Sequence, residues 1–270
     1  MAERFDVSWN GATLRGERWP GGSPTVLLLH EGVADRRGWT ALAGLLAPAL
    51  TVVSYDRRGY GQTAVSSVPF SHLDDLQAVI GATGAGRVWL AGASAGGGLA
   101  LDAALAAPER VAGLVLMGTA VSGAPEPELD PVTKRLEPQL ERAYAERDVA
   151  EINRLETWLW LDGPAQPEGR VGGAARQLAL AMNAVVIANG VPEAAGAGDV
   201  DAWHRLAEIR IPVTVACGDL DVPFLVDRCR RLADRLPSAR HHVLPGLAHQ
   251  PYLESAAAVA ALIRSAVAGS

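Results

Sequence analysis

The chain is poor in the features that mark several common classes. Among its 270 residues only Cys217 and Cys229 are cysteines, and they match no paired metal or redox spacing, so a disulfide framework and a zinc site lack support. No apolar run approaches the length of a membrane span. The first residues, Met-Ala-Glu-Arg-Phe-Asp-Val, carry charge where a secretory signal needs an apolar stretch, so the expectation is a cytoplasmic protein that does not enter a membrane. Basic charge is also scarce: Lys and Arg number 24 against 30 acidic residues, a formal charge of −6 that offers phosphate backbones no footprint and excludes nucleic acid as the expected partner. The partner expected is a small-molecule substrate, and the oligomeric state stays open between monomer and homodimer.

What is abundant is apolar sequence, 49% of residues, enough to bury one sizeable core. Phe5, Val7 and Trp9 alternate with polar residues ahead of Asn10-Gly11, which predicts an opening β-hairpin at the antiparallel edge of a sheet. Four short runs, Val26–Leu29, Thr51–Tyr55, Val88–Leu90 and Val111–Met117, lack alternation, as strands do when helices cover both faces of a parallel sheet. Helical stretches at Trp39–Leu46, His72–Ile80 and Ala95–Ala107 separate them, which predicts an α/β class with a mostly parallel, doubly wound sheet. The pattern changes over 121–208, where prolines and charges precede helical stretches around Trp158 and Trp160 and from Ala174 to Ala188. This reads as a helical cap inserted into a core of residues 1–120 and 209–270, with 194–198 either a hinge or a plain surface loop.

Gly92-Ala93-Ser94-Ala95-Gly96 follows a predicted strand and opens a predicted helix. That context suits a nucleophile elbow, a strained turn that lifts a serine hydroxyl above the sheet while two glycines allow close backbone approach. The plain alternative is a glycine-rich helix start with Ser94 as its N-cap. At the helix start the Ala95 amide is free to hold a developing oxyanion. A serine needs a base, and of the six histidines His249 alone lies in a loop between the last strand and the last helix.

At this point the chain resembles the α/β-hydrolase superfamily, more specifically its serine esterase and enol-lactonase members. The resemblance rests on four motifs in order: His30-Glu31-Gly32 with Trp39, the Ser94 elbow, Cys217-Gly218-Asp219-Leu220-Asp221, and Gly246-Leu247-Ala248-His249. It implies a triad of Ser94, Asp221 and His249, with Asp219 the competing acid and its turn role the alternative. It also implies an oxyanion hole formed by the amides of Gly32 and Ala95, each worth on the order of 3 kcal/mol in the transition state. Tyr55-Asp56-Arg57-Arg58-Gly59-Tyr60-Gly61 resembles a structural turn of the family. The sequence departs from the family at Glu31, where glycine is usual; a pair with Arg57 or Arg58 and a solvent-facing carboxylate are the two expectations.

The reaction so implied is cleavage of a small carboxylic ester or lactone through an acyl-enzyme, with no metal and no organic cofactor. Carbon–carbon bond hydrolysis of a diketone-type substrate, cofactor-free perhydrolysis, and a ligand-binding receptor with a vestigial triad are the alternatives. Trp158, Trp160 and Met182 of the insertion are candidates to line the substrate pocket, or else to pack the cap onto the core. Trp160-Leu161-Asp162-Gly163-Pro164 resembles a segment of esterase and enol-lactonase relatives.

Overall fold

The computed structural model describes residues 1–65, 68–190 and 200–269; the 194–198 segment lies outside them. The described residues form ten strands: β1 (Glu3–Arg4), β2 (Val7–Trp9), β3 (Ala12–Leu14), β4 (Gly16–Trp19), β5 (Thr25–Leu29), β6 (Thr51–Tyr55), β7 (Val88–Ala93), β8 (Val111–Met117), β9 (Val213–Gly218) and β10 (Ala239–Leu244). Eight of them make one sheet in the order β1-β4-β6-β5-β7-β8-β9-β10. β6 through β10 run parallel, while β1 and β4 close the other edge antiparallel.

The expected hairpin forms around Asn10 and Gly11, whose positive φ values of 40° and 73° suit a tight turn. It pairs β2 with β3 as a separate two-stranded ribbon, and the edge of the main sheet falls to β1 and β4 instead. Asp6 explains the break. Its carboxylate accepts from the Gly16 amide at 3.3 Å and from Arg15 Nη1 at 2.7 Å, and so interrupts the extended run between β1 and β2.

The continuous apolar strands are buried on both faces, as their composition requires. One face meets the helices His72–Ala82, Ala95–Ala106 and Pro223–Arg235 through Leu27, Leu76, Leu101 and Cys229. The other meets Thr40–Leu46 and Ala256–Ala268 through Trp39, Leu42, Trp89 and Ile263. Strand order reverses at β5, between β6 and β7, and in a sheet of this kind ligands bind outside the carboxyl ends of the strands at that point.

After β8 the chain leaves the sheet through the helices Pro131–Lys134, Glu137–Glu146, Val149–Thr157 and Gly173–Asn189, with a π-helical turn at Trp158–Asp162. Leu136, Ile152, Leu155 and Leu159 form a satellite core that closes on Val222 and Leu225, just past the carboxyl end of β9. A cap of 121–208 over a core of 1–120 and 209–270 is our proposal. Within it, Val121, Ala202, Trp203 and Leu206 pack into the main core, so the covering part is the helical stretch between.

Candidate active site

Ser94 follows β7 directly, with φ 49° and ψ −117°, a backbone conformation that a non-glycine residue adopts only when its surroundings force it. The flanking glycines explain how it is forced. A Cβ on Gly92 would stand 2.4 Å from the Gly96 carbonyl oxygen, and one on Gly96 would stand 2.2 Å from that of Leu29. The turn is therefore packed too tightly for any other residue type at either position. The Ser94 amide donates to the Met117 carbonyl at 2.8 Å, which ties the elbow to the end of β8.

Asp221 and His249 meet on the far side of that same strand end. His249 Nδ1 lies 2.9 Å from Asp221 Oδ2, and both side chains are buried. A Cβ on Gly118, the residue after Met117, would stand 2.8 Å from His249 Nδ1 and 2.9 Å from Asp221 Oδ2. The Ser94 main chain and the acid–histidine pair thus adjoin consecutive residues at the carboxyl edge of the sheet. No hydrogen bond joins the Ser94 hydroxyl to His249 among the described residues; catalytic hydrogen bonds of this kind are commonly long until substrate tightens them.

Asp221 is further fixed at Oδ1 by the Val222 amide, 2.6 Å away, and at Oδ2 by the Cys217 thiol at 3.4 Å. Both cysteines are free and buried, and Cys217 does more than pack. Asp219 bridges two loops and does not bond its own turn: its exposed side chain accepts from the Gly246 amide at 2.6 Å and pins the start of the histidine loop. Burial would lower the pKa of His249, but the charge and hydrogen bond of Asp221 and the charge of Glu31 outweigh it, and the imidazole is pushed up to about 9.

The Gly32 and Ala95 amides have no hydrogen-bond partner among the described residues, and a Cβ on Gly32 would meet nothing within 4 Å. Both amides are thus open to an incoming oxyanion. His30, just before, is structural: Nε2 accepts from the Arg57 amide at 3.1 Å, and burial followed by the Arg57 charge holds the ring well below its usual pKa. In the next loop Asp56 binds the Arg36 guanidinium and accepts from the Arg36 and Gln62 amides, each at 2.8 Å. The turn there is held by such contacts.

Glu31 meets neither expectation. Its side chain is only 1% exposed, and neither arginine pairs with it. Arg58 is taken by Asp75 at 2.8 Å; Arg57 donates to the Glu31 main-chain carbonyl at 2.8 Å and lies over the Tyr60 ring. With both cations occupied, the carboxylate turns toward the histidine loop, where Oε1 accepts from the Gln250 amide group and Oε2 lies 4.0 Å from His249 Nε2.

The three cap candidates separate. The Trp160 ring lies 4.7 Å from the His249 ring, centroid to centroid. Trp158 is turned away: its indole donates to the Gln166 carbonyl at 2.9 Å, and it lines an outer cavity with Val132 and Leu136. Met182 is fully buried, its terminal atoms within 3.6 Å of a Cβ built on Gly38, a position that Tyr252 also crowds. Packing explains these two placements, since one apolar stripe of the cap must cover the core.

A polar strut between cap and histidine loop was not foreseen. Arg170 donates to the carbonyls of Leu161 and Asp162 and forms a 2.5 Å ion pair with Glu254, whose other oxygen accepts from the Ala248 amide at 2.7 Å. Asp162, fully buried, pairs with Arg176 at 2.7 Å and accepts from the Gly169 and Val171 amides. The only sequence signal was the polar centre of the Trp160–Pro164 segment. Arg170→Ala is expected to lower kcat/KM by 10- to 100-fold, on the order of the loss from a 1 Å misplacement, while Ser94 stays chemically intact. Steady-state kinetics on an activated ester checks it; unchanged kcat/KM would show that the strut does not position His249.

The family profile described as alpha/beta hydrolase fold matches residues 24–256. The chain belongs to that family. A putative 2-succinyl-6-hydroxy-2,4-cyclohexadiene-1-carboxylate synthase of Bacillus subtilis is 27% identical over 250 residues, covering 87% of each chain. A pimeloyl-[acyl-carrier protein] methyl ester esterase of Edwardsiella ictaluri is 29% identical over 86% of this chain and 88% of its own. Among solved structures, the enol-lactonase of Burkholderia xenovorans superposes with a TM-score of 0.76 at 18% identity, over 98% of this chain and all of its own, a likeness of fold. Among the described residues no helix is long and apolar enough to cross a membrane, and no group of three or more His, Cys, Asp or Glu could hold a metal ion.

Proposed function

We propose that the protein is a serine hydrolase that cleaves a small carboxylic ester or lactone through an acyl-enzyme. The observation that carries this reading is the strained Ser94 elbow placed against a buried Asp221–His249 pair at one sheet edge. Strain of this kind costs on the order of 1–3 kcal/mol and persists where a fold needs the exposed side chain. His249 Nε2 takes the Ser94 proton as Oγ bonds to the carbonyl carbon, and Asp221 steadies the imidazolium. The Gly32 and Ala95 amides hold the oxyanion; His249 then protonates the leaving oxygen, and water repeats the sequence to release the acid.

A small substrate is favoured by the space at hand. The cavity that adjoins Ala95, lined by Leu99, Ala120 and Val121 but also by Arg57, Asp102 and Arg228, measures about 390 Å³, near the lower end for ligand pockets. The Trp160 ring closes on His249 at 4.7 Å between centroids, and the void between Val33, Trp160 and Gln250 has no room for a water-sized group. The methyl ester esterase and the enol-lactonase among its similar proteins support the choice of bond.

The test is a panel of p-nitrophenyl esters of increasing acyl length, with lactones and diketones beside them. Short esters or lactones are expected to turn over fastest, with a burst of p-nitrophenol equal to the enzyme concentration if deacylation limits. Turnover of diketones alone would overturn the ester reading, and turnover of none would overturn the enzymatic one.

A further inference from the structure

Glu31 has no task in the mechanism above, yet it occupies a costly position. It stands on the loop after β5, one residue before the oxyanion donor Gly32, and is buried. Its Oε2 faces His249 Nε2 at 4.0 Å, with the Tyr252 hydroxyl as the neighbouring neutral donor, while Asp221 holds the opposite ring nitrogen at 2.9 Å; burial pushes the Glu31 carboxyl up, and the His249 charge, then Gln250 and Tyr252, oppose that. A buried carboxylate persists when a counter-charge or donor compensates it. The groups around Glu31 are Gln250, the Tyr252 hydroxyl, His249 and, further off, Asp221. Around His249 they are Asp221, Glu31 and the Cys229 thiol, with the Trp160 ring against its face. Of all these only the imidazole can become a cation, since Arg57 is spent on the Glu31 carbonyl and the Tyr60 ring.

We propose that Glu31 is a positioning residue for the hydrolytic reaction: its carboxylate draws the Nε2 proton of His249 and competes with Ser94 for that nitrogen. The inference rests on the triad reading. Near neutral pH the histidine is then an imidazolium, Nδ1–H directed to Asp221 and Nε2–H to Glu31. Release of the Nε2 proton to water leaves a lone pair on that nitrogen, and the lone pair then accepts the proton of the Ser94 hydroxyl as Oγ bonds to the carbonyl carbon. One proton leaves per activated site, and no redox change occurs. Activity should therefore appear only as pH rises past the His249 pKa, whose elevation Glu31 helps to produce. A glycine in place of Glu31, usual in the family, would lack this control.

The experiment follows fluorophosphonate labelling of Ser94 between about pH 5 and pH 10 in the wild type, Glu31→Gln and Glu31→Asp. The wild-type rate is expected to rise with pH to an alkaline plateau. Glu31→Gln keeps the shape and an acceptor for Gln250 but removes the charge, and should move the rising limb down by about one pH unit, or about tenfold faster labelling near neutrality. Glu31→Asp should leave the limb between the two. A limb that stays in place in Glu31→Gln overturns the inference, whereas a wild type that is not labelled at any pH overturns the triad reading instead. If the variants do not fold, ¹⁵N NMR of the wild-type imidazoles decides: Nε2 of His249 should be protonated at about pH 7, and an unprotonated Nε2 there would overturn the inference.

Discussion

Ser94→Ala is expected to lower kcat/KM on activated esters by about 10⁴-fold or more, and to abolish fluorophosphonate labelling. The loss is large because the proposed reaction bonds Ser94 Oγ itself to the carbonyl carbon. Ser94 alone follows β7 at the elbow, with the unpartnered Ala95 amide beside it and the Asp221–His249 pair behind Met117 and Gly118. A residual rate from the oxyanion donors and substrate binding should remain above that of water. The same residue stores strain at φ 49°, which alanine does not relieve and glycine does. Ser94→Gly is therefore expected to be as inactive as Ser94→Ala but more stable than it by about 1 kcal/mol, read by urea denaturation. Retained labelling in Ser94→Ala would place the nucleophile elsewhere. Equal stability of the two variants would show that the elbow is not strained.

Asp221→Asn is expected to cost about 10⁴-fold in kcat/KM, close to the serine variant, although it changes one atom. The direction follows from the Val222 amide, which donates to Oδ1 at 2.6 Å and would select the carboxamide oxygen for that place. The amide nitrogen would then fall at Oδ2, 2.9 Å from His249 Nδ1, and donate to it. A donor there forces the neutral histidine to carry its proton on Nε2, and in that tautomer it cannot accept the Ser94 proton. Loss of the neighbouring negative charge also removes the largest influence that raises the His249 pKa. The pH limb of the residual activity should move to lower pH even as the plateau collapses. Activity within tenfold of wild type would exclude Asp221 as the acid and return attention to Asp219.

The sequence motifs located the elbow, the acid loop and the histidine loop because each depends on residues adjacent in the chain. A strand, a glycine, a serine and a glycine make a turn wherever they occur, and Gly92 and Gly96 are pressed against main chain as that reading required. The parallel strands were visible for a similar reason, since burial on both faces leaves no polar positions. Side-chain direction was not visible. Glu31 turned toward His249 because Arg57 and Arg58 had found a carbonyl and Asp75, partners 26 and 17 positions away in the chain. Trp158 and Trp160, two residues apart, diverged because the π-helical turn that carries them gave one ring to the histidine and the other to the cap's outer face. The expected hairpin formed but not at the edge of the main sheet, since Asp6, pairing with Arg15, divides the extended run between two sheets.

The Arg170–Glu254–Ala248 strut ties the region proposed to choose the substrate to the loop that carries His249, the proposed base. Gly163 tightens the link: a Cβ there would stand 2.3 Å from the carbonyl oxygen of Leu220, next to the acid. Exchanging the cap for that of another esterase would thus disturb proton transfer along with selectivity. A chimera that retains catalysis should have to import 158–176, 219–222 and 246–254 as one transplanted block.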